Sequence, residues 1–488
     1  MKTERTQHII AAALACALTA GCAPAPQPGE DINTRIGKIT AEHGTPSKES
    51  VTRLYDEMDF QRACQAYLWG LPAVGLSEWR NMQDNVFKVR NGQLVSYVSF
   101  DEKLGFMTPN YTTPYVATMV DLEKSGPFVL ELPKGLFGGM VLDVWQRVLS
   151  DVGVLGPDKG AGGKILILGP GQADPQAPGY FVVHSTTFNV FLGGRLLDPD
   201  VETAVREFFP KMRTYAFSER DNPPKEQIVP AGDRKWSQTP PRGMAYWERL
   251  AAVVGQEPVE ERDRFFMAQL RFLGIEKGKP FSPDARQRKI LTQAAEVGEL
   301  MAKANTSDKR MEPAFWPNTY WKHALVVALD QRKENYEQLD ERAAWFYEAL
   351  ANSKGMLTET VGFGQRYIAT YKDKSGELLD GGQSYRLHVP PNPPAQQFWS
   401  VTAYDESTRS FVESPTRNTD LSSRKPDLTK NADGSVDVYF GPTAPKGFEN
   451  NWVQTVPGKG WFAYFRFYAP TEPFFDKSWA LPDIEKVK

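Results

Sequence analysis

Residues 376–470 constrain the fold most, because four segments within them alternate apolar and polar side chains. Tyr385-Arg386-Leu387-His388-Val389 sets Tyr, Leu and Val on one side and Arg and His on the other. Residues 399–404 and 436–440 repeat the pattern. The longest segment, 461–469, sets Trp461, Ala463, Phe465 and Phe467 against Phe462, Tyr464, Arg466 and Tyr468. Successive side chains of a strand point to opposite faces, so a period of two predicts half-buried sheet. Connections rich in Pro, Gly, Asn and Asp predict antiparallel turns.

A chain of 488 residues is too long for one core and implies two or three domains. Strand signals also dominate residues 108–198, where Ile165-Leu166-Ile167-Leu168 is continuous rather than alternating. That run predicts a strand buried on both faces. The expected class is therefore β-rich α+β, with two antiparallel, jelly-roll-like β-sandwich domains bridged by a helical region. The expected boundaries are 50–200 for an N-terminal helix plus first sandwich, 201–360 for the helical region and 361–488 for the second sandwich. Gly70 and Pro72 are expected to stop the first helix, and Ser282-Pro283 to start a later one. Residues 330–350 read as helix from the spacing of Tyr336, Leu339, Phe346 and Leu350.

The first 22 residues carry an address. Lys2 and Arg5 precede an apolar run from Ile9 to Ala20, too short to span a bilayer. The run ends Leu18-Thr19-Ala20-Gly21-Cys22, which resembles the lipobox of bacterial lipoproteins, although Thr19 stands where an aliphatic residue is usual. The resemblance implies a signal peptide over residues 1–22, a lipidated Cys22 and, with Ala23 following, an outer-membrane lipoprotein facing the periplasm. Residues 23–49, opening Ala-Pro-Ala-Pro-Gln-Pro-Gly, read as a tether. Of three cysteines, Cys16 leaves with the signal and Cys64 lies on a helical stripe with Phe60 and Tyr67, as a buried structural thiol would. The net charge of −3, without long runs of one sign, argues against nucleic acid as a partner. The expected partners are the membrane, through the anchor, a small-molecule ligand, and a second copy of the chain through open sheet edges.

No His-Glu-x-x-His, His-x-His, Cys-x-x-Cys or Gly-x-Ser-x-Gly motif occurs, so the sequence names no metal and no cofactor. Gly160-Ala161-Gly162-Gly163-Lys164 precedes a strand rather than a helix, which argues against a phosphate loop. Two constellations remain as ligand sites. Asp143, Trp145 and Arg147 share one face if their segment is a strand, with Asp151 just beyond. Arg–carboxylate pairs beside an indole suit an anionic or polyhydroxylated ligand. The second is the polar face of the last strands: Arg386, His388, Tyr404, Tyr464, Arg466 and Tyr468. Asn110 and Tyr115 stand in the polar turn Thr108-Pro109-Asn110-Tyr111-Thr112-Thr113-Pro114-Tyr115. The acid–base candidates for catalysis are Asp143, Asp151 and His184.

Five stretches carry a family resemblance: Thr108-Pro109-Asn110 with Thr113-Pro114-Tyr115, residues 143–147, residues 156–160, residues 398–402, and Asn451-Trp452 with Gly458-Lys459-Gly460-Trp461. In these the chain resembles a bacterial two-module family built from domains of unknown function 1254 and 1214. The resemblance implies two β-sandwich modules bridged by helices and no assigned activity. Many relatives have Asp at the position of Thr112, so no carboxylate role transfers to that turn. The expected function is binding of a small polar or anionic, carbohydrate-like organic ligand. The alternative is a periplasmic hydrolase or lyase using Asp/His acid–base catalysis.

Overall fold

The computed structural model describes residues 31–225 and 228–487. The expected signal peptide, Cys22 and the Pro-rich start of the expected tether lie outside the described residues. The chain is mixed α+β, with ten α-helices and six sheets among the described residues. It divides into two units, Met1–Asp59 and Phe60–Lys488.

In the first unit, Asp31–Thr34, Gly37–Glu42 and Thr45–Pro46 form a three-stranded antiparallel sheet. Residues 31–46, expected to belong to the tether, are thus folded. Ile39 and Ala41 alternate into the interior, and Gly37 (φ 100°) and Gly44 (φ 79°) make the turns that sequence reasoning passed over.

The second unit holds two pairs of sheets. A six-stranded sheet runs Val229–Pro230, Val95–Tyr97, Tyr115–Asp121, Asn189–Leu196, Phe137–Asp143, Val148–Gly153. A four-stranded sheet runs Tyr180–His184, Gly163–Leu168, Phe128–Leu132, Arg213–Ala216. Val120, Val141, Val190 and Leu192 of the first meet Leu130, Ile165 and Ile167 of the second in one core. Leu166 and Leu168 point the other way into a separate cluster with Tyr215, so this strand is buried on both faces as expected. The second pair comprises a five-stranded sheet, Lys322–His323, Gln365–Thr370, Trp461–Pro470, Ala395–Asp405, Asp420–Ser422, and a four-stranded one, Trp452–Gln454, Val436–Gly441, Ser384–Val389, Glu485–Val487. Leu387, Val389, Val438 and Phe440 pack against Trp399, Val401, Ala463, Phe465 and Phe467 between them. The segment between the modules is not helical throughout: Arg213–Ala216, Val229–Pro230 and Lys322–His323 add strands to three sheets.

Three helices differ from expectation. The first runs Lys48–Met82 straight through Pro72. Proline removes one N–H and crowds the carbonyl four residues back. Donors from elsewhere reach the carbonyls on either side of the Leu68 carbonyl so affected: the Tyr246 hydroxyl donates to Tyr67 at 2.5 Å and the Arg342 guanidinium to Trp69 at 2.9 Å. Cys64 is buried in the same helix. The helix expected from Ser282 is Ala285–Ser307, capped by Asp284, whose carboxylate accepts from Gln287 N while Gln287 Oε1 accepts from Asp284 N. Residues 330–350 are helical only over Leu339–Glu348, because Arg332–Lys333 and Tyr336–Glu337 pair as a short hairpin.

The outer face of the six-stranded sheet packs Ala117, Met119, Leu142 and Phe191 on Leu76 and Trp79 of the long helix. The corresponding face of the five-stranded sheet puts Tyr367, Tyr404, Phe462 and Tyr464 into the largest core with the helices. All ten residues of Trp461–Pro470 are buried, where half-burial was expected. The alternation is real, but both of its faces are covered.

Candidate functional site

Where these faces approach, a cavity opens with about 110 Å³ accessible to the centre of a water-sized sphere. One such sphere centre needs about 10–15 Å³, so a small organic molecule fits. Its apolar walls include Trp79, Phe106, Phe191 and Trp345, and its polar lining includes Asn110, Tyr115, Arg195, Gln238, Tyr464 and Arg466. One wall comes from residues 106–195, the opposite one from Tyr367, Tyr464 and Arg466, and helix and loop residues close the rest. Among the described residues no His, Cys, Asp, Glu or Lys lines it.

The loop before strand Tyr115–Asp121 is bound into shape by Asn110. Its Oδ1 accepts from the backbone N–H and hydroxyl of both Thr112 and Thr113, at 2.9 to 3.1 Å, and its backbone N–H donates to the Tyr115 hydroxyl at 2.9 Å. Asn110 Nδ2 donates to the Tyr468 hydroxyl across the cavity wall. Thr108 sits at φ 43°, unfavourable for a β-branched residue. Its N–H donates to the Arg409 carbonyl at 2.6 Å and its carbonyl accepts from Arg466 at 3.2 Å, which holds it there.

Arg466 reaches inward from the middle of the five-stranded sheet. It donates to Thr402 Oγ1 at 2.9 Å and to the Tyr404 hydroxyl at 2.6 Å, and Tyr404 donates to the Pro109 carbonyl. Thr402 passes the contact on to the Asp420 carboxylate at 2.5 Å, whose pKa burial pushes up to about 6. Tyr464, two residues away on the same face, donates to the fully buried Glu348. Tyr371 and Lys309 complete that carboxylate's shell.

Arg195 comes from strand Asn189–Leu196, opposite Tyr115 in the ladder. Gly194 beside it lets the chains close up, since a Cβ there would stand 2.4 Å from the Phe137 ring and 2.6 Å from Gly139 Cα. Among the described residues, the one side-chain hydrogen bond of Arg195 goes to the Tyr367 hydroxyl at 3.2 Å. Burial works against its charge while the oxygens of Tyr367, Tyr115 and Tyr468 favour it, and the guanidinium stays protonated. No carboxylate lies within ion-pair distance of Arg195 or Arg466 among the described residues.

Gln238 is fully buried on a loop seated by Gln238 N to the Gly105 carbonyl at 3.0 Å and Trp236 Nε1 to the Glu102 carbonyl at 3.0 Å. Neither Nε2 nor Oε1 of Gln238 has a hydrogen-bond partner. An unpaired buried amide group costs about 1–3 kcal/mol, which a matching occupant would remove.

Of the residues singled out from sequence, Asn110, Tyr115, Tyr464 and Arg466 meet at the cavity, with Tyr404 and Tyr468 directly behind. The others lie elsewhere. Asp143 and Arg147 are not on one strand face. Strand Phe137–Asp143 ends there, Gln146 turns at φ 60°, and the Arg147 Nε–Asp143 bond of 2.5 Å closes the hairpin, with Glu260 on the other side of the guanidinium. Burial raises the Asp143 pKa against the effect of Arg147. Trp145 lies in the core, 4.5 Å from Trp69 between ring centroids. Asp151 accepts from Lys354 N, and burial pushes its pKa to about 6. His184 is exposed on strand Tyr180–His184. Arg386 and His388 face away from the core and pair across strands with Glu485 and Asp437, at 3.2 and 2.8 Å, so the polar face read as one unit is split between two sheets. Arg195 and Gln238 escaped sequence reasoning, although Gly193-Gly194 before an arginine in a strand marked a close approach.

Two family models match the chain: protein of unknown function DUF1254 over residues 94–216, and protein of unknown function DUF1214 over 364–472. Both modules are present, in that order. The DUF1254 module supplies Arg195 and the Asn110 loop, and the DUF1214 module supplies Tyr367, Tyr464 and Arg466. Trp79, Gln238 and Trp345 belong to neither. The crystal structure of the VPA0106 protein from Vibrio parahaemolyticus is similar, with TM-score 0.55 and 16% identity over 88% of this chain and 100% of that one. At that identity the likeness concerns the fold alone. A putative uncharacterized protein from Burkholderia cenocepacia gives TM-score 0.38 and 13% identity over 90% of each chain, too distant to support an argument. Comparison with curated proteins gives no match. Among the described residues no cluster of His, Cys, Asp and Glu could hold a metal ion, and no helix is long and apolar enough to cross a membrane.

Proposed function

We propose that this chain is a cell-envelope lipoprotein that binds a small organic anion in the cavity between two β-sandwich modules. Arg195 carries the proposal: a protonated guanidinium lines a mostly apolar cavity with no carboxylate to pair with among the described residues. An anionic ligand head supplies that partner, and bidentate geometry suits a carboxylate. Trp79, Phe106, Phe191 and Trp345 would take an apolar ligand body, which favours an amphiphilic acid over a polyhydroxylated sugar. The Asp/His hydrolase or lyase alternative has less support, because Asp143, Asp151 and His184 are all outside the cavity lining.

Trp79 and Trp345 make the site self-reporting. Titration of tryptophan fluorescence with aromatic and aliphatic carboxylic acids should saturate, and their methyl esters should leave it unchanged. Arg195→Met should abolish the response to the acids. A flat response across the acid panel, or equal response to acids and esters, overturns the proposal.

A further inference from the structure

We infer that Gln238 selects among those anions for one bearing an amide, an inference that rests on the anion-binding reading above. Gln238 lines the same cavity as Arg195, is fully buried, and has both a donor and an acceptor without partners. Its backbone is fixed by the Gly105 carbonyl, where any larger residue would collide with Trp236: a Cβ on Gly105 would lie 2.2 Å from that indole. The side chain is therefore delivered to the cavity by a rigid support. A carboxamide pairs best with a group offering an acceptor and a donor side by side. The N–H and C=O of a trans amide point apart, but the N–H and the neighbouring carboxylate of an N-acyl amino acid lie together, the N–H donating to Oε1 and a carboxylate oxygen accepting from Nε2. A carboxylate alone satisfies Nε2 and leaves Oε1 facing an acceptor. The ligand class is thus an N-acyl amino acid or a similar amide-bearing acid with an apolar end: the anion on Arg195, the amide on Gln238, the body on the aromatic walls.

Hippurate and 3-benzoylpropionate test this, because they differ only by N–H against CH₂ in the same skeleton. Calorimetric titration of the purified full chain should show hippurate binding at least roughly tenfold tighter, since a site built to hydrogen-bond a group discriminates against the analogue lacking it. Gln238→Leu should reduce the ratio to near one. The readout is a ratio on one protein, so partial loss of folded material in the variant cancels. Equal affinities in the wild type, or a ratio that survives Gln238→Leu, overturns the role of Gln238 and leaves anion binding standing. Failure of both acids to bind the wild type overturns both readings.

Discussion

Lys103 shows how far this interior departs from water. It is 2% exposed, its Nζ donates to the Tyr111 carbonyl at 2.9 Å, and it lies 5.8 Å from the Tyr115 ring. Burial lowers its pKa to about 7, against the favourable charges of Asp420 and Glu102. Between pH 7 and 10.5 the unfolded chain holds a proton at this position that the native chain has released, so stability rises with pH through that window. Above about pH 10 the buried tyrosines reverse the trend, because Tyr97, Tyr246 and Tyr371 keep protons that their unfolded counterparts lose. Urea melts at pH 7, 8 and 9 should show the wild type gaining on Lys103→Met at each step. Parallel profiles would show that the lysine is not desolvated. Single residues of this kind were the least legible from sequence. Arg466 and Tyr404 were found because strand alternation drew notice to them, whereas Arg195 and Gln238 matter through burial and lack of partners, which arise only in the tertiary fold. Asp143 and Arg147 misled for the converse reason: a four-residue spacing that looked like a shared face is a hairpin held by its own ion pair.

Among the elements, strands were easier to read than helices. Alternation over 385–389, 399–404, 436–440 and 461–469 corresponds to strands Ser384–Val389, Ala395–Asp405, Val436–Gly441 and Trp461–Pro470. The helix runs through Pro72 in contacts that local sequence does not show, since the donors to the carbonyls on either side of the one proline leaves free come from residues about 180 and 270 positions away in sequence. Gln146 joins three such elements. From its hairpin its Nε2 donates to the Pro72 carbonyl and its Oε1 accepts from Ala351 N, both at 2.8 Å. Ala351 is part of the cavity wall, held at φ 67°. Gln146→Leu strips the Ala351 N–H of its acceptor in a buried site, so the unfolding free energy should fall by about 1–3 kcal/mol. Chemical denaturation reads this directly, and a change below about 0.5 kcal/mol would sink the clamp argument.

For the whole molecule, the proposed signal segment and lipid anchor can be tested separately from the cavity. In bacterial cells supplied with an alkyne-tagged palmitate analogue, the wild-type chain should take up label and partition with membranes. Cys22→Ala should do neither while keeping the same response to carboxylic acids, because acyl chains contribute about 0.8 kcal/mol per buried CH₂ to anchoring and nothing to a site built on Arg195. Label retained by Cys22→Ala would place the modification elsewhere.

The position of Trp461–Pro470 also sets an order of events in synthesis. This strand is the centre of the five-stranded sheet and carries Tyr464 and Arg466, yet it leaves the ribosome after both of the strands it joins. Until it arrives, Gln365–Thr370 and Ala395–Asp405 have no neighbour between them and the cavity lacks a wall. A nascent or prematurely terminated chain can display a finished DUF1254 module and still lack the cavity wall that carries Tyr464 and Arg466.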